Sequence, residues 1–204
     1  MKIHRIEQRS EAWFALRLKY PLTASKSQAI GNGKAGLTTL CWNKMAEKYS
    51  SSNEERYVSP DIQRGIDLEP IAVFAYEMET SNTTEEVGFV TNDKISKVGG
   101  ASPDRLVNND GLLEIKCFND VKHLKAIVSF RKTGTFEIES QYMWQMQMQL
   151  LFTGRDWNDY GIYNPNFNDS LLVQRVYPDK VMQEKIIEGL KLGEIIIKDI
   201  EKNL

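Results

Sequence analysis

The chain has 204 residues, of which 41% are hydrophobic and 26% charged, a balance typical of a globular protein that can bury its own core. It contains no apolar run long enough to span a membrane and no stretch typical of a signal peptide, so we expect a cytoplasmic protein with no membrane partner. Its net charge of −2 argues against a simple basic nucleic-acid-binding module, and its two distant cysteines argue against a zinc or iron–sulfur cluster.

The first part of the chain predicts two helices. Apolar residues spaced three or four apart predict a helix after the glycine loop at residues 31–36, and they are Leu37, Leu40, Cys41, Met45 and Tyr49. A second helix is predicted from Ile71, Ala72, Phe74, Ala75 and Met78, with Pro70 either starting or kinking it. Residues 50–55 are predicted to form a short loop. No stretch resembles an interdomain linker, so we expect residues 1–204 to form a single domain.

The middle of the chain predicts strands. The segment from Glu86 to Val90 and the region around Val98 each favour a strand. Residues 105–116 then predict a β-hairpin, because Asn109-Asp110-Gly111 is a strong signal for a tight turn between two apolar segments.

The remaining elements alternate between helices and strands. One helix is predicted around Leu124, Ile127 and Val128 and ends at Gly134, and another covers residues 138–153 and ends at Gly154. Two strands at residues 160–163 and 171–177 precede a long helix from about Asp179 that carries Met182, Ile186, Leu190 and Ile197 on one face. This order predicts a mixed sheet flanked by helices, an α/β or α+β fold.

Three polar residues converge on the predicted hairpin. Asp104 lies at the mouth of its first strand, while Glu114 and Lys116 lie two residues apart on its second strand and therefore project to the same face. Together with the Ile115 carbonyl they offer oxygen ligands that suit Mg²⁺, with an amine beside them. Hydrolysis of a phosphodiester needs such a cation, an attacking water and neutralisation of phosphate charge. The alternative is an ordinary surface hairpin with a salt bridge.

Further motifs accompany these residues in a fixed order. They are Glu11–Leu18 followed by Leu22–Ser25, then Arg64–Pro70, Ser102-Pro103-Asp104, Glu114-Ile115-Lys116 and Gln141–Gln147. The hairpin trio matches the signature of the PD-(D/E)xK nuclease superfamily. The whole series, over residues 8–152, resembles the lambda-exonuclease or YqaJ-like family of viral recombination nucleases. The resemblance implies a restriction-endonuclease-like core with a mixed central sheet.

The resemblance also implies roles for the residues near the hairpin. Asp104, Glu114 and the Ile115 carbonyl would bind Mg²⁺, for which Mn²⁺ could substitute, and Lys116 would orient or deprotonate the attacking water. Glu69 would contribute to a second metal position, giving two ions per site, and Gln145 would position the nucleophile or bind near the metal. Without the resemblance, Glu69 would be read as a solvated helix carboxylate. Gln141, Gln145 and Gln149 would then form only a polar helix face.

A second group of residues would bind the substrate. By the resemblance, Arg17, Ser25 and Ser102 bind the 5′-phosphate of the degraded strand, and Tyr142 belongs to the DNA-binding surface. The structural alternatives are a surface ion pair for Arg17 and a helix cap for Ser25. Pro21 adds a residue before the Thr-Ala-Ser segment relative to the family pattern, which affects the expected geometry of this pocket.

The function implied by the resemblance is a Mg²⁺-dependent 5′-to-3′ exonuclease of double-stranded DNA ends that leaves 3′ overhangs for phage-type recombination. It would be phage or prophage encoded, act in the host cytoplasm as a homotrimeric ring, and work with a single-strand annealing protein. Two alternatives are an endonuclease built on the same core and an inactive DNA-binding module. The intact set of Asp104, Glu114 and Lys116 argues against the inactive module.

Overall fold

The computed structural model of the protein describes residues 1–51 and 59–204, so part of the loop predicted at residues 50–55 lies outside the described residues. The helices are α1 (Glu11–Lys19), α2 (Ser27–Gly31), α3 (Lys34–Tyr49), α4 (Pro60–Thr80), α5 (Asp120–Thr133), α6 (Ser140–Thr153) and α7 (Lys180–Lys202). The strands are β1 (Lys2–His4), β2 (Leu22–Thr23), β3 (Thr84–Glu86), β4 (Phe89–Thr91), β5 (Gly99–Gly100), β6 (Arg105–Val107), β7 (Gly111–Cys117), β8 (Trp157–Tyr163) and β9 (Leu171–Val176).

The main sheet is mixed, as the order of elements predicts. Within the described residues it has five strands in the order β3-β6-β7-β8-β9. Strands β7 and β8 are parallel, and helices α5 and α6 connect them, whereas the other neighbours in this sheet are antiparallel. Two small sheets, β1 with β4 and β2 with β5, extend the fold on the N-terminal side.

Helices cover both faces of the main sheet. Helix α4 packs Ala72, Val73 and Tyr76 against one face, where Leu113 and Ile115 of β7 point. Helices α5 and α6 cover the other face through an apolar cluster that includes Met146, Tyr160 and Ile162. Since successive side chains of a strand alternate between faces, Glu114 and Lys116 project toward α6 rather than α4.

A second apolar cluster lies among the helices on the far side of α6. Leu22, Leu37, Cys41 and Leu190 are buried there, together with Phe152 of α6. Each such side chain contributes about 1.5–3 kcal/mol relative to an exposed one. Helix α6 thus packs against the sheet with one side and against α2 and α7 with the other, which holds its polar residues at a fixed distance from β7.

The helix ends agree with the prediction from sequence. Gly134 and Gly154 adopt left-handed conformations, with φ of 74° and 63°, directly after α5 and α6. The Asp179 side chain accepts a hydrogen bond from the backbone nitrogen of Met182 and so caps α7. These residue types satisfy backbone groups that a helix end leaves without partners.

The structure decides one open alternative and changes one predicted strand. Helix α4 begins at Pro60 after the cap residue Ser59, so Pro70 lies inside it and does not start it. The strand predicted from Glu86 to Val90 is instead divided into β3 and β4, which belong to different sheets. Gly88 lies between them, where a Cβ atom would come 2.2 Å from the Ile6 carbonyl oxygen.

The apolar residues that predict α4 divide between two environments. Ala72 is buried, whereas Ile71, Phe74 and Met78 are 51%, 63% and 69% exposed. No helix in the described ranges combines the length and apolar character needed to cross a bilayer.

Candidate active site

The hairpin of β6 and β7 brings the predicted residues together. Arg105 pairs with Leu113 across the hairpin, which places the preceding residue, Asp104, beside the following part of β7. Asp104 Oδ2 accepts a hydrogen bond of 2.7 Å from the Ile115 backbone nitrogen. This contact fixes one carboxylate oxygen of Asp104 and leaves its other oxygen for a ligand.

Glu114 is fully buried and all its hydrogen bonds are charge-assisted. Its Oε1 accepts from the Lys116 ammonium and, at 2.7 Å, from Gln145 Nε2. Its Oε2 accepts at 2.6 Å from Gln149 Nε2. A buried carboxylate is costly unless it is paired and hydrogen-bonded, and these contacts meet that requirement.

Lys116 lies between two of the predicted metal-binding oxygens. Besides Glu114, its Nζ donates to the Ile115 carbonyl oxygen at 3.1 Å, and it lies 5.2 Å from the centroid of the Tyr142 ring. Burial alone would lower the pKa of Lys116, but the carboxylates of Glu114 and Asp104 outweigh it and raise that pKa above its usual value. The side chain therefore carries a positive charge.

For Asp104, burial and a neighbouring negative charge outweigh the contacts that would lower its pKa. Burial is the largest effect, followed by the negative charge of Glu114, and together they raise the pKa of Asp104 from 3.8 to about 8. Lys116 and the backbone hydrogen bond from Ile115 oppose this rise. Below about pH 8 Asp104 thus keeps its proton in the metal-free site, and a cation that binds to its carboxylate would replace that proton.

The donor set fits a hard divalent cation. Among the described residues, no three His, Cys, Asp or Glu side chains form a ready metal cluster. Mg²⁺ does not require one, because it commonly binds through one or two carboxylates and completes its shell with water and phosphate. Glu114 and the Ile115 carbonyl oxygen both accept from the Lys116 ammonium, and Asp104 is held beside them by the Ile115 backbone nitrogen, so together they offer such a set.

Glu69 projects from α4 into the same cleft. Its Oε2 accepts from Arg9 Nη2 at 3.1 Å, and its Oε1 accepts from Arg105 Nη1 at 3.3 Å. Glu69 also contributes to the raised pKa of Asp104. Its carboxylate is therefore near the hairpin site but is neutralised by two guanidinium groups.

The cleft around these groups has a volume of about 410 Å³. Arg9, Arg64, Lys116 and Lys122 line it, and so do the acidic residues Glu69 and Asp104. Although the chain as a whole is slightly acidic, this cleft gathers several cations beside its carboxylates.

The predicted phosphate-binding residues form a separate group linked to the cleft. Arg17 Nη2 donates to Thr23 Oγ1 and Ser25 Oγ at 3.3 Å each. The Arg17 guanidinium stacks 4.3 Å from the centroid of the Trp13 ring. Trp13 Nε1 in turn donates to Ser102 Oγ at 2.8 Å, which connects this group to the residue that precedes Pro103 and Asp104.

The model of the YqaJ-like viral recombinase domain matches residues 12–156, which is more than half of the chain and includes Arg17, Glu69, Asp104, Glu114 and Gln145. The chain belongs to this family. The resemblance inferred from the motifs is thereby confirmed.

Solved structures of exonucleases are similar to the YqaJ-like chain over most of its length. An alkaline exonuclease from Laribacter hongkongensis has a TM-score of 0.77 and 30% identity, with 95% of this chain and 97% of that chain covered. The same enzyme in complex with dAMP gives the same values. A phage related exonuclease from Haemophilus somnus 129PT, at 13% identity and a TM-score of 0.66, shares the fold. A comparison with curated protein sequences gives no significant match.

These comparisons confirm the predicted fold class and the predicted enzyme class, an exonuclease and hence a hydrolase. The YqaJ-like chain also has site contacts that sequence reasoning missed. Gln149 was read only as part of a polar helix face, although it donates to Glu114. The sequence patterns do not mark Arg9 or Arg105, and they include Thr23 only within the Leu22–Ser25 motif. A signal was present for Gln149, since a glutamine four residues after Gln145 lies on the same side of a helix.

Proposed function

We propose that the protein is a Mg²⁺-dependent exonuclease that degrades double-stranded DNA from its 5′ ends and leaves 3′ overhangs for phage-type recombination. The observation that carries the proposal is that the Lys116 ammonium donates to Glu114 and to the Ile115 carbonyl oxygen, while the Ile115 backbone nitrogen holds the Asp104 carboxylate beside them. Family membership supports the recombination role. The complex of the Laribacter exonuclease with dAMP, a deoxynucleoside monophosphate, supports DNA as the substrate class.

Each side chain has a distinct task in this proposal. Asp104, Glu114 and the Ile115 carbonyl would hold one ion, and Glu69 would contribute to a second, with Mn²⁺ able to replace Mg²⁺. The bound ions supply Lewis-acid stabilisation of phosphate charge and a more acidic water. Lys116 orients the attacking water and stabilises the phosphate oxygens as a cation, since its raised pKa opposes a role as a base. Gln145 positions the nucleophile from α6.

Recognition of the substrate end is proposed for Arg17, Ser25 and Ser102, with Tyr142 beside the scissile nucleotide. The contacts of Arg17 with Ser25 and its stacking on Trp13 support a preformed guanidinium orientation. A guanidinium held in this way can bind a terminal phosphate through two parallel hydrogen bonds. No base-specific readout is needed for such an end.

We further propose that residues 1–204 act as one nuclease domain that assembles into a homotrimeric ring and works with a single-strand annealing protein in the host cytoplasm. A ring requires two different contact surfaces on each subunit. Two exposed apolar stripes on separate helices meet this need: Ile71, Phe74 and Met78 on α4, and Val121, Leu124 and Val128 on α5. The C-terminal helix is a poorer candidate, because Ile186, Leu190 and Ile197 are buried in the chain's own core.

Digestion of linear duplex labelled at either end tests the proposal. We expect label at the 5′ end to be released first, with Mg²⁺ or Mn²⁺ present and not with a chelator. Asp104→Asn should lower the rate at least about 100-fold, as expected when charge stabilisation of the transition state is lost. Asp93→Asn, an exposed acid outside the site, serves as the control. Closed circular duplex distinguishes the endonuclease alternative, and cleavage of it at the linear rate would contradict the proposal.

A further inference from the structure

The inner side of the candidate site contains a chain of buried amides. Gln149 lies on α6 and is fully buried, and its Nε2 donates to Glu114 Oε2 at 2.6 Å. Lys116 and Gln145 both contact the other oxygen, Oε1. Gln149 therefore holds one oxygen of Glu114, while the other, Oε1, accepts from Lys116, which lines the cleft.

The carboxylate of Glu114, which is paired with Lys116, sets the direction of the hydrogen bonds in this series of amides. A carboxylate only accepts, so Gln149 must turn its NH₂ group toward Glu114 and its Oε1 toward β8. There Asn158 Nδ2, also fully buried, donates to Gln149 Oε1 at 2.8 Å. Asn158 must consequently turn its own oxygen away from Gln149.

The far end of the chain of amides is left unsatisfied. Asn158 Oδ1 is buried and has no hydrogen-bond partner within the described residues. A buried polar atom without a partner costs about 1–3 kcal/mol, and such atoms call for an explanation in terms of function or strain. The Asn158 side chain thus makes its hydrogen bond within the described residues to Gln149, and that bond orients the Gln149 amide.

We propose that Gln149 is a positioning residue for the metal ligand Glu114, and that Asn158 acts through Gln149. By holding Oε2, Gln149 fixes the carboxylate so that Oε1 faces the cleft and can bind the ion. The inference rests on the proposed function, since it takes Glu114 as a ligand. Hydrogen bonds to a metal ligand from outside the coordination shell typically change metal affinity about 10–100-fold.

Gln147 supplies a matched control on the same helix. It is as buried as Gln149, at 1% exposed, but its hydrogen bonds go to the Tyr177 carbonyl and the Asp179 backbone nitrogen, away from the site. Replacement of either glutamine by Met keeps the approximate shape and removes buried hydrogen bonds. Both variants should lose stability, so thermal unfolding alone does not distinguish a positioning role from a structural one.

The deciding experiment measures Mn²⁺ binding by calorimetry without DNA, together with the Mn²⁺ concentration that gives half-maximal cleavage. Gln149→Met should weaken Mn²⁺ binding about 10–100-fold and shift half-maximal cleavage by a similar factor, with most of kcat recovered at saturating Mn²⁺. Gln147→Met should bind Mn²⁺ as the wild type does. Asn158→Leu should weaken binding in the same direction, and adding it to Gln149→Met should cause no further loss of affinity.

The outcomes separate this inference from the proposed function. Wild-type affinity in both Gln149→Met and Asn158→Leu would overturn the positioning role, and so would an equal loss in Gln147→Met. If Gln149→Met does not fold, Asn158→Leu alone decides, because it leaves Gln149 in place. A wild type that binds no Mn²⁺, or a Glu114→Gln variant that binds it equally well, would instead refute the proposed metal site itself.

Discussion

At the scale of residues, the site is defined by two neighbouring carboxyl groups that lie close to a single ammonium. Glu114 and Asp104 lie within reach of one ammonium, that of Lys116, and the guanidinium groups of Arg9 and Arg105 are committed to Glu69. Like charges near each other in a buried setting disfavour ionisation, which is why the pKa of Asp104 is raised. A divalent cation that binds there would replace the proton of Asp104, so metal binding and proton loss are coupled.

The raised pKa of Asp104 predicts that the stability of the metal-free protein depends on pH. The folded pKa of Asp104, about 8, lies above its ordinary value of 3.8. Asp104 therefore contributes stability that is fully present below the ordinary value and is lost as pH rises through the folded pKa. In chelator, the free energy of unfolding of wild type relative to Asp104→Asn should fall between about pH 5 and about pH 9. Urea titrations of both proteins would measure it, and a difference that does not change with pH would contradict the shift.

Arg17 predicts the response to the chemistry of the DNA end. Duplex with a 5′-phosphate should be degraded on the order of 10–100-fold faster than duplex with a 5′-hydroxyl, as expected for charge-assisted hydrogen bonds. Arg17→Ala should remove this preference, and Arg17→Lys should not restore it, because an ammonium cannot bind through a planar fork. Lys19→Ala, an exposed cation on the same helix, is the control. Equal wild-type rates on both ends would contradict the assignment.

At the scale of elements, the sequence predicted those features that depend on neighbouring residues. Helix ends at Gly134 and Gly154 follow from local backbone preferences and were confirmed. The predicted hairpin also forms, but its turn covers residues 108–110, with a positive φ at Asn108, and Gly111 begins β7. The sequence left open whether Pro70 starts or kinks α4, and the structure places it inside the helix, where Ala72 rather than Ile71 or Phe74 packs against the sheet. Which face of a helix is buried depends on contacts that are distant in sequence.

The same distinction holds within the site. The period of a strand placed Glu114 and Lys116 together, and the turn placed Asp104 beside them, so this trio could be assembled from sequence. The contact between Gln149 and Asn158 joins α6 to β8, and the approach of Arg9 to Glu69 joins residues 60 positions apart. No local pattern encodes such distances, which is why these contacts emerge only from the fold.

The glycine at the end of α6 gives a test of element stability. Gly154 has φ of 63°, so Gly154→Ala should destabilise the protein by about 1–2 kcal/mol, although no atom lies within 4 Å of the added Cβ. Gly36 lies within α3, where an added Cβ meets only the Ala29 carbonyl oxygen at 3.9 Å. Gly36→Ala should therefore stabilise the protein by about 0.5–1 kcal/mol. Chemical denaturation measures both, and changes of the same sign would contradict the backbone argument.

At the scale of the whole molecule, the net charge of −2 gives little general attraction for DNA, whereas degradation of a long duplex requires the enzyme to stay bound. The cations that could meet phosphates are local, in the cleft and around Arg17. Attraction through phosphate contacts weakens steeply with salt because counterions are released on binding. An enzyme that encloses the duplex would be less dependent on such attraction, which is the physical reason to expect a closed assembly.

The proposed ring therefore makes a prediction about assembly and about salt. Light scattering at micromolar concentration should report a trimer. Phe74 is 63% exposed on the apolar stripe of α4, so Phe74→Asp places a charge there and should convert the trimer to a monomer without unfolding it. Trp42→Asp, at a 58% exposed position on α3, should leave the trimer intact.

With rising salt, the rate of loading onto DNA should fall more than the length of DNA degraded per binding event, because an enclosed duplex cannot dissociate sideways. A wild-type monomer, with or without DNA, would exclude the ring and would require that processivity arise from contacts within one subunit.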